Sequence, residues 1–178
     1  LNLILIVKAK GEYEMTQRFI VHENSELYTS HGNVQAYAVY DSFKRGLLNS
    51  DFRVAGFKPN GEETSNILSM QEIDAAVGKL IRVSGMGLQD HSIVVYPGQK
   101  IMTPDGRAVD VEDFSPNDYA VTINGFLTVD FVADLGEDDL QKFYIVELSD
   151  NMKTLFVSNV ILFSTEESKK DVPFLEQS

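Results

Sequence analysis

The chain has 178 residues, with 27 acidic and 15 basic side chains, a formal net charge of −12 and no cysteine. Without cysteine there are no disulfides, thiolate metal sites or thiol nucleophiles. The basic residues are scattered, which argues against the clustered Lys and Arg that a nucleic-acid partner requires. His22, His31 and His91 are the only histidines, too few and too dispersed for a zinc site, so neither a metal nor any other cofactor is expected.

This length suffices for one domain with its own core. Residues 3–7 form an apolar run too short to cross a bilayer, and they lack the basic leader and cleavage site of a signal peptide; they read as a strand in a soluble chain with no membrane partner. Further strands are predicted at residues 18–21, 35–39, 53–57, 79–83, 92–96, 119–123, 126–132, 143–148 and 154–157. Each is rich in Val, Ile, Tyr or Phe and bounded by Gly, Pro, Asn or Asp. Turn signals recur between them, among them Pro59-Asn60-Gly61, Tyr96-Pro97-Gly98 and Pro104-Asp105-Gly106. Asn124-Gly125 is the strongest hairpin signal, because a two-residue type I′ turn needs positive φ at both positions. Short helices are predicted at residues 40–48 and 69–77. The second is the stronger, with Ser69 as N-cap and Glu72 three residues on completing a capping box. Many short strands with frequent turns predict an all-β barrel or sandwich-like domain, not a βαβ protein. The polar stretch 165–178 reads as a mobile arm.

Several stretches resemble the blocks of inteins and other Hint domains. Leu88-Gln89-Asp90-His91-Ser92-Ile93-Val94-Val95, followed by Asp110-Val111-Glu112-Asp113-Phe114-Ser115-Pro116-Asn117-Asp118-Tyr119, is similar to a Thr-x-x-His block. In the family an apolar run follows that block, and then a Val-x-x-x-x-hydrophobic-x-Pro-Gly-Asp segment. Residues 143–164 resemble the carboxy-terminal pattern: a Tyr-Asp-Ile-Glu-Val strand, a His-containing turn, an aromatic strand and Asn-Gly-Ile-Leu-Val-His-Asn. Asn24-Ser25-Glu26-Leu27-Tyr28-Thr29 is similar to the amino-terminal block, and places Ile20 where the splicing nucleophile would stand. An ungapped reading places Ser164 at the terminal asparagine and Thr165 just beyond. The resemblance implies an all-β horseshoe with one or two short helices. It divides the chain into a flanking strand or host segment at 1–19, a Hint-like domain at 20–164 and a polar flank at 165–178.

The chemistry that the resemblance implies is largely missing. Splicing needs a Cys or Ser at the first position, a block histidine that polarises its amide, an acyl acceptor after the domain and a terminal Asn that cyclises. His91 matches the block histidine, and as a catalytic group it would need to titrate near neutrality. The bland reading of Asp90-His91-Ser92 is a strand entry. Ile20 has no nucleophilic atom. Leu88 stands where Thr would support the oxyanion and offers no hydrogen bond. Met152 and Phe163 replace two histidines, and Ser164 lacks the nitrogen needed for a succinimide. Thr165 could accept an acyl group, although a Thr opening a polar tail is ordinary.

The leading expectation is a splicing-inactive Hint domain kept as an inserted structural or interaction module, its partner the host polypeptide or another protein. An atypical or engineered self-splicing or autoprocessing domain is one alternative, with cleavage that depends on His91. A β-rich structural protein of a phage particle is another, resting on composition alone. A phage particle and a bacterial cytoplasm are both compatible locations.

Overall fold

The computed structural model describes residues 16–165 except 86, 87, 117, 123, 124 and 137, and for a few strand positions, 88–91 among them, the backbone alone. The strand expected at residues 3–7 lies outside the described residues, and so does the tail beyond Thr165. No helix among the described residues is long and apolar enough to cross a membrane.

The elements in chain order are β1 (Gln17–His22), β2 (Glu26–Thr29), β3 (Gly32–Gln35), α1 (Ala36–Lys44), β4 (Val54–Lys58), β5 (Gly61–Ser65), β6 (Ile67–Ala76), β7 (Lys79–Gly85) and β8 (Leu88–Val95). After them come β9 (Lys100–Met102), β10 (Ala108–Asp110), a 3₁₀ turn (Val111–Asp113), β11 (Tyr119–Thr122), β12 (Gly125–Asp134), β13 (Gln141–Leu148), β14 (Thr154–Val157) and β15 (Val160–Phe163). The fold is all-β. One continuous sheet runs β5-β4-β2-β14-β15-β11-β12-β7-β8-β1-β13-β6, with β3 beside β2 and the β9–β10 pair beside β15.

Alternation along each strand decides what faces the core. In β1, Gln17, Phe19 and Val21 are buried, and Phe19 and Val21 share one core cluster with Val146 and Leu148 of β13, Ile81 and Val83 of β7, and Leu155 and Leu162 of the last two strands. β14 and β15 are buried at every position, so neither alternates, as for strands covered on both faces. Their second face packs Phe156, Ile161 and Phe163 with Met102 into a smaller cluster. The two strands are joined by Ser158 (φ 45°) and Asn159 (φ 75°), a two-residue turn of the type whose twist matches antiparallel strands.

Three predicted elements take a different form. Residues 35–39, expected as a strand, enter the helix instead: α1 starts at Ala36, and the 40–48 helix is displaced to Ala36–Lys44. The first turn is anchored from outside, since the amides of Ala36 and Tyr37 donate to the carbonyls of Ser25 and Glu23 at 2.8 and 2.9 Å. Ala36, Val39, Tyr40 and Phe43 then face the core at helical spacing.

Residues 69–77, expected as a helix, are strand β6. It is paired along its length with β13, with Met70 opposite Val146 and Ile73 opposite Phe143. A capping box is a local preference worth about 1 kcal/mol, and the ladder with β13 outweighs it. The hairpin near Asn124-Gly125 forms between β11 and β12, but Gly125 is itself a paired residue opposite Thr122. Gly125, expected in the turn, is therefore part of the ladder, and residues 123 and 124 lie outside those described.

Candidate functional site

β1 runs between β13 and β8, with Ile20 opposite Ile145 and Val21 opposite Val95. β8 ends at Val95, and Tyr96-Pro97-Gly98-Gln99 reverses the chain. The Gln99 amide donates to the Tyr96 carbonyl at 3.0 Å and Gly98 has φ +91°. This is a turn with Pro pre-set at the second position and Gly supplying the positive φ at the third. Its effect is to turn Gln99 into the core, where the residue is 2% exposed.

The buried carboxamide of Gln99 has full use of its polar atoms. Its Oε1 accepts from the backbone amide of Ile20 at 3.2 Å. Its Nε2 donates to the carbonyls of Phe163 at 2.6 Å and Lys100 at 3.1 Å. One side chain thus joins the first amide of the expected domain to the last residue of β15. A second glutamine acts alongside it. Gln17, also buried, accepts from the hydroxyl of Ser164 through Oε1 and donates through Nε2 to the carbonyl of Asp150 at 3.1 Å. The Ser164 amide donates to the Lys153 carbonyl, and the Thr165 amide to the Arg18 carbonyl, both at 2.9 Å. Residues 18–20 and 163–165 therefore lie side by side.

The sequence-predicted positions fall unevenly around this centre. Ile20, Ser164 and Thr165 are brought together. Phe163 and Met152 are fully buried packing residues; the end of the Met152 side chain lies against Gly56. His91 and Leu88 are on β8, and the backbone of His91 pairs with Val83. His91 is four residues from Val95, the position level with Val21, or about 14 Å along an extended strand. Gln99 and Gln17, the two side chains that hold the ends together, were not anticipated. The Pro97-Gly98 turn was legible, but nothing local marks the residue after it as buried.

Two other candidates are structural. Nδ1 of His22 accepts from the Asn24 amide at 3.2 Å, so the proton sits on Nε2, which donates to Oε1 of Gln141 at 2.7 Å. Ser25 is buried in the turn after β1, and its amide donates to the His22 carbonyl. The void against Ile20, His22, Ser25, Val95 and Leu162 measures about 10 Å³, room for one water at most and for no substrate. Among the described residues no group of three or more His, Asp or Glu is placed to hold a metal.

Known structures share this arrangement of strands. A DnaB intein from Synechocystis aligns with 82% of this chain over 97% of its own length, at a TM-score of 0.61 and 10% identity. The transcription factor IIB Mvu mini-intein aligns with 80% over 99% of its length, at 0.62 and 15%. A bacterial intein-like domain from Clostridium thermocellum aligns with 84% over 99% of its length, at 0.59 and 16%. No protein-family model matches the chain, and no curated protein matches it. The chain has the all-β fold of inteins and intein-like Hint domains.

Proposed function

We propose that the chain is an intein-like Hint domain, spanning residues 20–164, that no longer splices and serves as an inserted structural or interaction module within a host polypeptide. The observation that carries this reading is the meeting of the two ends, the Thr165 amide on the Arg18 carbonyl at 2.9 Å, around a first position occupied by a hydrocarbon. A module whose ends emerge together can sit inside a host without separating the segments that flank it.

The residues at each step of splicing point the same way. Ile20 cannot attack its preceding carbonyl. Gln99 touches the Ile20 amide, the contact expected of a block histidine, and it follows Tyr96 at the Thr-x-x-His spacing. Residues 109–118 (Val109, then Phe114, Pro116 and Asp118) next fit the Val-x-x-x-x-hydrophobic-x-Pro-Gly-Asp segment. The block is therefore better read at 96–99 than at 88–91. A carboxamide in that place can hydrogen-bond but cannot deliver a proton at neutral pH. At the other end, a register counted from the Ser158-Asn159 turn would lay the family's Asn-Gly-Ile-Leu-Val-His-Asn pattern on residues 159–165. In that register Ser164 would stand for the penultimate histidine and Thr165 for the terminal asparagine, moving the module's end from 164 to 165. In either register the nitrogen needed for cyclisation is missing.

Intact-mass measurement of the purified chain, held for days between about pH 5 and pH 8, tests this. A single unchanged mass is expected. A fragment ending near Phe19 or Ser164, or a ligated product, would reinstate an autoprocessing activity.

A further inference from the structure

β1 and β15 are not neighbours in the sheet. In the hydrogen-bonded order β15 lies between β14 and β11, whereas β1 lies between β8 and β13. No ladder between the two strands holds the ends of the module together; beside the single backbone bond from the Thr165 amide to the Arg18 carbonyl, side chains bridge the gap. Gln99 makes that bridge from the centre of the core, with one atom on each strand's backbone.

We infer that Gln99 is a positioning residue that latches the two ends of the module to each other, so that neither loosens without the other, and that its lack of charge keeps the latch closed at every physiological pH. A primary carboxamide is the uncharged side-chain group that both accepts and donates through a planar pair of atoms. Its orientation here is forced. Turning it over would set its NH₂ against the Ile20 N–H and its oxygen against the carbonyls of Phe163 and Lys100. At 2% exposure water does not replace a lost partner, so each broken bond leaves a buried polar group unsatisfied. Gln17 stands beside this latch and holds Ser164 to the strand that carries Ile20.

The latch rests on the reading of residues 20 and 164 as the module's ends, but its test is separate. Mass measurement addresses that reading, whereas amide hydrogen exchange on the full chain addresses the coupling. In Gln99→Met, which keeps the volume and removes the polar atoms, the amides of Ile20 and Thr165 should both exchange about tenfold faster or more. Exchange in the β4–β5 hairpin should stay unchanged. In Gln99→Glu the two ends should both be loose near pH 7, because a carboxylate cannot donate to Phe163, and both should regain protection near about pH 4, where the protonated acid restores the donor. A residue that only filled space would show no such pH-dependent rescue. Loosening of one end alone, indifference of Gln99→Glu to pH, or equal loss of protection throughout the molecule in both variants would each overturn the inference.

Discussion

Ser65 and Ile67 belong to the two strands at opposite ends of the sheet's hydrogen-bonded order, β5 and β6, yet one residue separates them in the chain. That residue, Asn66, carries the chain from one end of the order to the other. Its Nδ2 donates to the carbonyls of Ser50 at 2.8 Å and Phe52 at 2.9 Å, and its Oδ1 accepts from Nη1 of Arg53 at 3.1 Å. Next to it the Ser65 hydroxyl accepts from the Ser149 amide, tying the same point to the end of β13.

Asn66→Ala removes all three side-chain bonds at once. A destabilisation of about 1–3 kcal/mol is expected, read as a lower denaturation midpoint with an unchanged slope. Asn66→Gln should not rescue it, because the added methylene displaces the carboxamide from two fixed carbonyls.

Gly56 packs against β14 at backbone distance. A Cβ there would stand 2.1 Å from the Thr154 carbonyl oxygen, and Thr154 is held in turn by two bonds with the backbone of Phe57. Because the obstacle is backbone, it cannot swing aside. Gly56→Ala should cost about 2–4 kcal/mol, well beyond an ordinary surface change, and thermal unfolding would show it. Gly61, with open space around its missing Cβ but φ +146°, should tolerate Ala less badly.

The turn between β14 and β15 asks for positive φ at Ser158 and Asn159. Asn159→Val places a β-branched residue in that region and also removes the acceptor for the Tyr28 hydroxyl. A loss of about 2 kcal/mol is expected. Asn159→Gly, which relieves the backbone while losing the same bond, should fall close to the parent. If the two variants were equally destabilised, the Tyr28 contact and not the backbone would be the controlling feature.

Hydrogen bonds from Lys58 and Asn151 hold the Glu63 carboxylate below its ordinary range. A carboxylate with a depressed pKa contributes stability above the unfolded-state value, and that contribution disappears as the pH falls through the folded one. Comparing Glu63→Gln with the parent should therefore show a stability difference at neutral pH that closes under acid conditions. The residue is partly exposed, so the difference should be small and should shrink with added salt.

The strands that flank the site were readable because their chemistry is local. Phe143 to Leu148 and Thr154 to Val157 are dense in β-branched and aromatic residues, and β13 and β14 follow them closely. The helix at Ala36–Lys44 was blurred because Ala-Tyr-Ala-Val suits either state, and the decision falls to carbonyls at Glu23 and Ser25. β6 was lost to a local capping signal because its partner lies about seventy residues away on β13. Gln99 could not be found by inspection for the same reason. Its partners at Ile20 and Phe163 are 79 and 64 residues distant, and nothing about the letter distinguishes it from a surface glutamine. Ile20 and Ser164 were found only through the family resemblance, since an isoleucine and a serine carry no signal of their own.

The side-by-side exits also set how the module answers to tension. Traction applied through its two flanks would load the Thr165–Arg18 contact first and then the two glutamine bridges, one after another, as a zip opens. Were the chain inserted in a host, as proposed, this junction would be its point of mechanical compliance, paying out slack before the surrounding ladders gave way.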